Sequence, residues 1–170
     1  TVGSIYSRIY QESLSDIYFP SPITRVGPGL QGMIKPEIVE LGGGGYGEET
    51  DVVVFEPHYI KKGRLFSLVC GTSFSAPKVS HYLAKLVSKF PNGSINLIKA
   101  LLLSSAEIPR ERPGKLQSFK ISDPLKNSKH LLNIYGYGKP NLEKALNSFS
   151  NSVVLLHDGS IRVKRVQLFP

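Results

Sequence analysis

The 170 residues are 41% hydrophobic, with 8 Phe and 8 Tyr, a composition that excludes intrinsic disorder and is sufficient for a buried core. A single cysteine excludes an intramolecular disulfide framework. The net charge of +8 comes from basic residues spread over Lys61–Arg64, Arg110–Arg112, Lys126–Lys129 and Arg162–Arg165, with no nucleic-acid-binding motif around them, so it reads as a solvated surface.

In chain order, Gly42-Gly43-Gly44-Gly45 comes first; no Gly-Lys-Ser/Thr follows, so it reads as a flexible bend and not as a phosphate loop. Val52-Val53-Val54-Phe55 is an apolar run, followed by His58 and the basic turn Lys61-Lys62-Gly63-Arg64. Leu65 to Val69 is of strand type, and beyond it Val79, Tyr82, Leu83, Leu86, Val87 and Phe90 recur at helical spacing. Pro91-Asn92-Gly93 is a turn; Asn92-Gly93-Ser94 matches a glycosylation sequon, but the turn explains it. Ile95 to Ala106 reads as a second helix with Ser94 at its N-cap. Residues 107–130, with three prolines and scattered charge, read as an extended surface excursion. Near the end, Val153 to His157 and Ile161 to Val166 flank Asp158-Gly159-Ser160, a hairpin signal.

Between the strand-like run and the first helix lies Cys70-Gly71-Thr72-Ser73-Phe74-Ser75-Ala76-Pro77-Lys78-Val79. Pro77 has no N–H to give to the Ser73 carbonyl and is tolerated only near a helix start, so the helix opens at the serine. A serine held there has its backbone N–H at the positive end of the helix dipole, where the negative charge developing in acyl transfer is stabilised. The plain alternative is that Thr72 or Ser73 caps the helix. Cys70 reads as a packed residue at the strand end.

The whole string Gly-Thr-Ser-x-Ser-Ala-Pro-x-Val resembles the serine motif of the subtilisin-like proteases, the subtilases. Three further segments resemble the family in its order: Lys35-Pro36-Glu37 with the apolar run to Gly42, preceded by Arg25-Val26-Gly27-Pro28-Gly29; Ile98, Lys99, Leu101, Leu102, Ser105 and Ala106; and Tyr135-Gly136-Tyr137-Gly138-Lys139-Pro140-Asn141 with Ala145-Leu146. Leu41 and the extra glycines depart from the family's pattern, which has Pro before the single Gly.

The resemblance implies a triad in the order Asp, His, Ser, with an oxyanion Asn before the serine. The contexts of Asp16, Asp51, Asp123 and Asp158 do not match the family's aspartate, and those of His58, His81, His130 and His157 do not match its histidine. His81 is eight residues from Ser73 on the same helix, about 12 Å along its axis, too far to reach the hydroxyl. Thr1 to Ile5 resembles the strand just after the oxyanion Asn, so the chain reads as a C-terminal portion.

The expected fold is therefore α/β, a subtilisin-like three-layer sandwich with a mainly parallel sheet, present in its C-terminal part only. Residues 1–150 are the part-domain, and 151–170 either begin an appendage or close the sheet edge. The implied activity is serine endopeptidase, with Ser73 as nucleophile, Gly71 and Thr72 supporting the turn, and Phe74 on the leaving-group side. A serine without a base within about 2.6–3.2 Å is a weak nucleophile, so the isolated chain is expected to be inactive. The alternative is a catalytically degenerate subtilase used as a binding or scaffolding module. Expected partners are a peptide or protein substrate, the N-terminal part of the domain and a second copy across an exposed sheet edge. No nucleic acid or membrane is expected: the apolar stretch Leu97–Leu103 is short and holds Lys99. Nor do the first residues read as a signal peptide, but in a C-terminal portion they say nothing of the targeting of the whole protein; the location stays open, with the cytoplasm slightly favoured. Family resemblance makes calcium the cofactor to consider, although no Asp/Glu cluster has ligand spacing.

Overall fold

The computed structural model describes residues 1–6, 17–44, 52–55, 65–109, 127–147, 156–157 and 159. Val2–Ile5 (β1) and Ile38–Leu41 (β2) form a parallel pair in the register Val2 to Ile38 through Ile5 to Leu41. Parallel strands are buried on both faces, and side chains alternate between those faces. Ile38 accordingly enters a core with Val79, Leu86, Ile98, Leu101, Leu102 and Ala145, whereas Val39 joins Ile5, Leu131 and Tyr135 in a second core. The helices behind the first core are α1 (Thr72–Lys89), α2 (Ile95–Ser104) and a short α4 (Leu142–Leu146); α3 (Asn127–Tyr135) lies behind the second. Helices thus flank both faces of the parallel pair, an α/β arrangement.

Val52–Phe55 (β3) and Phe66–Val69 (β4) pair antiparallel. The strand that delivers the chain to the serine turn thus belongs to an antiparallel pair, in addition to the parallel β1–β2 pair. Ten residues separate Phe55 from Phe66, which suits a hairpin, while a parallel return needs a crossover of a dozen or more.

Both edges of the β1–β2 pair have partners within the chain. Beyond β1, Thr24 Oγ1 accepts from the Ser4 N–H at 2.8 Å, the Ser21 N–H reaches the Ser4 carbonyl at 2.9 Å, and the Tyr6 N–H reaches the Phe19 carbonyl at 3.1 Å. Beyond β2, the Val39 N–H donates to the Gly138 carbonyl at 3.0 Å and the Tyr137 N–H to the Glu37 carbonyl at 2.8 Å. Gly136 is required there: its φ is +59°, and a Cβ would lie 2.2 to 2.3 Å from the carbonyl oxygens of Glu37 and Pro36.

Ser94 caps α2, its Oγ accepting from the Leu97 N–H at 3.2 Å. The excursion expected over 107–130 ends earlier than anticipated, because α3 begins at Asn127. Leu131 and Tyr135 on that helix are buried, and the Tyr135 hydroxyl donates to the Tyr18 carbonyl at 2.9 Å. Val87, which has the spacing of the buried face of α1, is half exposed and lines an apolar groove of about 560 Å³ between α1 and α2 together with Leu83, Ile95 and Leu102. Among the described residues no helix is long and apolar enough to cross a membrane. The hairpin expected over 153–166 lies almost wholly outside the described residues.

On the surface, Glu37 meets two lysines and, in the 170-residue chain, that chain's own amine. Lys99 Nζ from α2 lies 2.6 Å from Oε1, while Lys35 Nζ at 3.2 Å and the amine at 2.6 Å lie against Oε2. In the 170-residue chain the hydrogen bond from Lys99, followed by that from the chain's own amine, lowers the Glu37 carboxyl from 4.5 to about 2 against an opposing effect of burial. A depressed folded-state pKa contributes stability above the unfolded value that is lost as pH falls through the folded one. The denaturation midpoint of the 170-residue chain is therefore expected to fall between about pH 4.5 and pH 2, and Glu37→Gln to flatten that slope. Urea titrations across that range, comparing the two proteins, measure the difference.

Candidate active site

At the end of β4 the chain passes Cys70, which is partly buried, and turns at Gly71. Gly71 has φ 154° and ψ 152°, a conformation essentially confined to glycine. Space is not the reason for glycine here, since a Cβ would stand no closer than 3.4 Å to the Phe74 ring, an ordinary contact. Gly71 occupies the N-cap position of α1, so no side chain caps this helix. Its carbonyl accepts from the Phe74 N–H at 2.9 Å.

Neither Thr72 nor Ser73 is the cap, because both already lie inside α1. Ser73 is exposed in the first turn, and its hydroxyl has no hydrogen-bond partner among the described residues. Its backbone N–H belongs to the group of first-turn amides that lack an intrahelical acceptor. Pro77, within the same helix, withholds a donor from the Ser73 carbonyl. Thr72 and Phe74 are partly buried on either side of the serine.

The turn is anchored to the end of β2. The Gly71 N–H donates to the Gly42 carbonyl at 2.8 Å, the Ser75 hydroxyl to the Glu40 carbonyl at 3.0 Å, and Lys78 Nζ to the Leu41 carbonyl at 2.7 Å. Ser75 is fully buried. Gly42 is in turn held to β1, its N–H 3.3 Å from the Ile5 carbonyl, and Ser4 Oγ donates to the Gly43 carbonyl at 2.9 Å. The glycine run therefore differs from the flexible bend read in the sequence. Gly42, Gly43 and Gly44 are buried; other chain segments press against Gly42 and Gly44, and Gly43 has φ +70°, a left-handed conformation that favours glycine. A Cβ on Gly42 would lie 2.1 Å from Ser75 Oγ, 2.5 Å from Ser4 Oγ and 2.7 Å from the Gly71 carbonyl oxygen.

Beneath the turn, Glu40 is 1% exposed. Its Oε1 accepts from the Leu41 N–H at 2.8 Å and faces Lys139 Nζ at 3.6 Å, while Oε2 has no partner among the described residues. From α1, Tyr82 approaches the same carboxylate. Burial first, then the negative charge of Glu40, pushes the Tyr82 hydroxyl up to about 12. Sequence reasoning noted Glu40 only as part of the Lys35-Pro36-Glu37 stretch, although a carboxylate inside an apolar strand was itself a signal. In the sequence Ser75 is one letter of the motif and Lys78 one of its variable positions; neither shows a role there, because their partners are about 35 residues away in sequence.

No histidine or aspartate is brought to the Ser73 hydroxyl within the described residues. His81 is exposed on α1 with its ring edge-on to Tyr82 at 6.3 Å between centroids. His130 and His157 are exposed, while His58 and all four aspartates lie outside the described residues. Among the described residues no group of three or more His, Cys, Asp or Glu is placed to hold a metal ion, so no donor set for calcium is present there.

The close approach at Gly42 has a direct consequence. Gly42→Ala is expected to destabilise the chain by about 1–3 kcal/mol, because a backbone carbonyl is among the atoms that must shift. Equilibrium chemical denaturation of the two chains gives the difference.

A model of the subtilase family matches residues 15–138. The chain is also 35% identical over 139 residues to an uncharacterized protein, y4bN, of Sinorhizobium fredii; the match takes in 74% of this chain and 30% of that protein. The chain therefore spans about a third of the length of this relative. No solved structure matches. The extent of the family match, with an uncapped serine turn lodged against the end of a parallel strand, shows that the chain belongs to the subtilase family.

Proposed function

We propose that this chain is the serine-bearing part of a serine endopeptidase whose domain is a three-layer sandwich, and that Ser73 is its nucleophile. The observation that carries the reading is the state of Ser73: exposed in the first turn of α1, with a hydroxyl that caps nothing because Gly71 stands at the cap position. Family membership supports the reaction class.

In this reading Ser73 Oγ attacks the scissile carbonyl carbon, and the carbonyl π electrons move onto oxygen as the tetrahedral intermediate forms. The Ser73 N–H, at the positive end of α1, donates to that oxyanion. Gly71 and Thr72 set the turn, and Phe74 flanks the leaving group. A histidine takes the serine proton and returns it to the departing amine, oriented by an aspartate; an Asn supplies the second oxyanion donor. These three groups come from a part of the protein other than the described residues, and the 170-residue chain on its own is inactive in this reading.

Treating the whole protein that contains this chain with a fluorophosphonate probe tests the assignment. Labelling is expected at Ser73 and is expected to vanish in Ser73→Ala, with peptide hydrolysis falling by at least about a thousandfold. Labelling unchanged by Ser73→Ala overturns the nucleophile assignment. No labelling of the unmutated protein favours a scaffolding or binding module instead. The purified 170-residue chain is expected to hydrolyse casein no faster than a blank, and robust hydrolysis by it refutes the division of the triad.

A further inference from the structure

The buried serine two residues beyond Ser73 and the lysine three residues beyond that both face the strand end and not the solvent front of the turn. Three successive carbonyls, those of Glu40, Leu41 and Gly42, each accept a donor from the serine turn: Ser75 Oγ at 3.0 Å, Lys78 Nζ at 2.7 Å and the Gly71 N–H at 2.8 Å. Carbonyls of consecutive strand residues point to opposite edges, so Ser75 and Lys78 grip β2 from its two sides. The strand itself supports this geometry, with the Val39 N–H bonded to Gly138 on one edge and the Gly42 N–H bonded to Ile5 on the other. A single hydrogen bond lets the turn pivot, whereas donors on both edges, with a third at the turn's own backbone, hold it against rotation as well as translation.

The chemistry of each residue fits this task. Ser75 has no exposed surface, so its hydroxyl does not serve the solvent, and Gly42 leaves the space into which it packs. Lys78 is partly buried and places its ammonium on a neutral carbonyl instead of a carboxylate, a charge-assisted bond shorter than most. Both polar ends are taken up by β2 carbonyls, and neither has a part in the proton transfers described above.

We propose that Ser75 and Lys78 are positioning residues, which lock the turn carrying Ser73 to the end of β2 by gripping consecutive carbonyls from opposite edges. The catalytic meaning of the lock rests on the reading of Ser73 as nucleophile; the lock itself is measurable without it.

The test compares the whole protein with its Ser75→Ala, Lys78→Met and doubly substituted variants. Amide hydrogen exchange over residues 70–74 is expected to rise at least tenfold in the double variant and less in each single one, with the amides of β1 and α2 unchanged. A uniform rise throughout, or no rise over 70–74, overturns the proposal. In parallel, the rate of fluorophosphonate labelling is expected to fall about tenfold, with kcat falling and KM held within twofold, and Lys78→Arg, which retains a donor, is expected to recover most of the loss. A full labelling rate despite raised exchange overturns the positioning role. If the unmutated protein is not labelled at all, the peptidase reading fails while exchange still decides whether the lock exists. Should Ser75→Ala not fold, Lys78→Met, which keeps the aliphatic stem of a partly buried side chain, carries both measurements alone.

Discussion

Everything that gives the serine turn its place depends on the close approach at Gly42. Three segments distant in sequence meet there: Ser4 from β1, the end of β2, and the turn from Gly71 to Ser75. The distances leave no room for a Cβ. Each hydrogen bond at this junction contributes only about 0.5–1.5 kcal/mol net, but a buried donor or acceptor left without a partner costs about 1–3 kcal/mol. That asymmetry, more than the strength of any bond, selects one docking of the turn over its neighbours.

The strand that serves as reference is itself fixed on four sides. Ile38 and Val39, adjacent in sequence, enter different cores on opposite faces, with α1, α2 and α4 behind one and α3 behind the other. Along the edges, β1 pairs on one side and the Tyr137–Gly138 backbone bonds on the other. A strand buried on both faces and bonded along both edges has little freedom to slide, because a one-residue slip would exchange its two sets of side chains. The position of Ser73 therefore inherits the rigidity of β2, and the helix that starts there carries Val79 and Leu86 into the same core.

Two glutamates three residues apart show how burial alone divides one side-chain type between two tasks. Glu37 lies near the surface with Lys35 and Lys99 and links α2 to the start of β2. Glu40 is sealed beneath the turn, where a backbone N–H and Lys139 answer one oxygen and Tyr82 stands nearby with its proton firmly held. A buried ion pair is weak evidence for stability, since desolvation offsets much of the attraction. Its effect here is on arrangement: it ties β2 to the Lys139 segment.

The sequence by itself determined the features that depend on neighbours along the chain: the α1 and α2 spans from apolar periodicity, the Ser94 cap, the opening of α1 around Ser73 that Pro77 permits, and the family motif with Gly71 in a conformation only glycine adopts readily. Local sterics and hydrogen bonding act over a few residues, so they are legible in a few residues. The tertiary structure decided what depends on residues far apart. It made β4 the partner of β3 in an antiparallel pair, started α3 at Asn127 through the burial of Leu131 and Tyr135, and turned a run of glycines that reads as a bend into a packed junction. It also gave Ser75 and Lys78 their partners on β2. Such contacts arise only when the core closes, because the carbonyls that receive them are no different in sequence from any others.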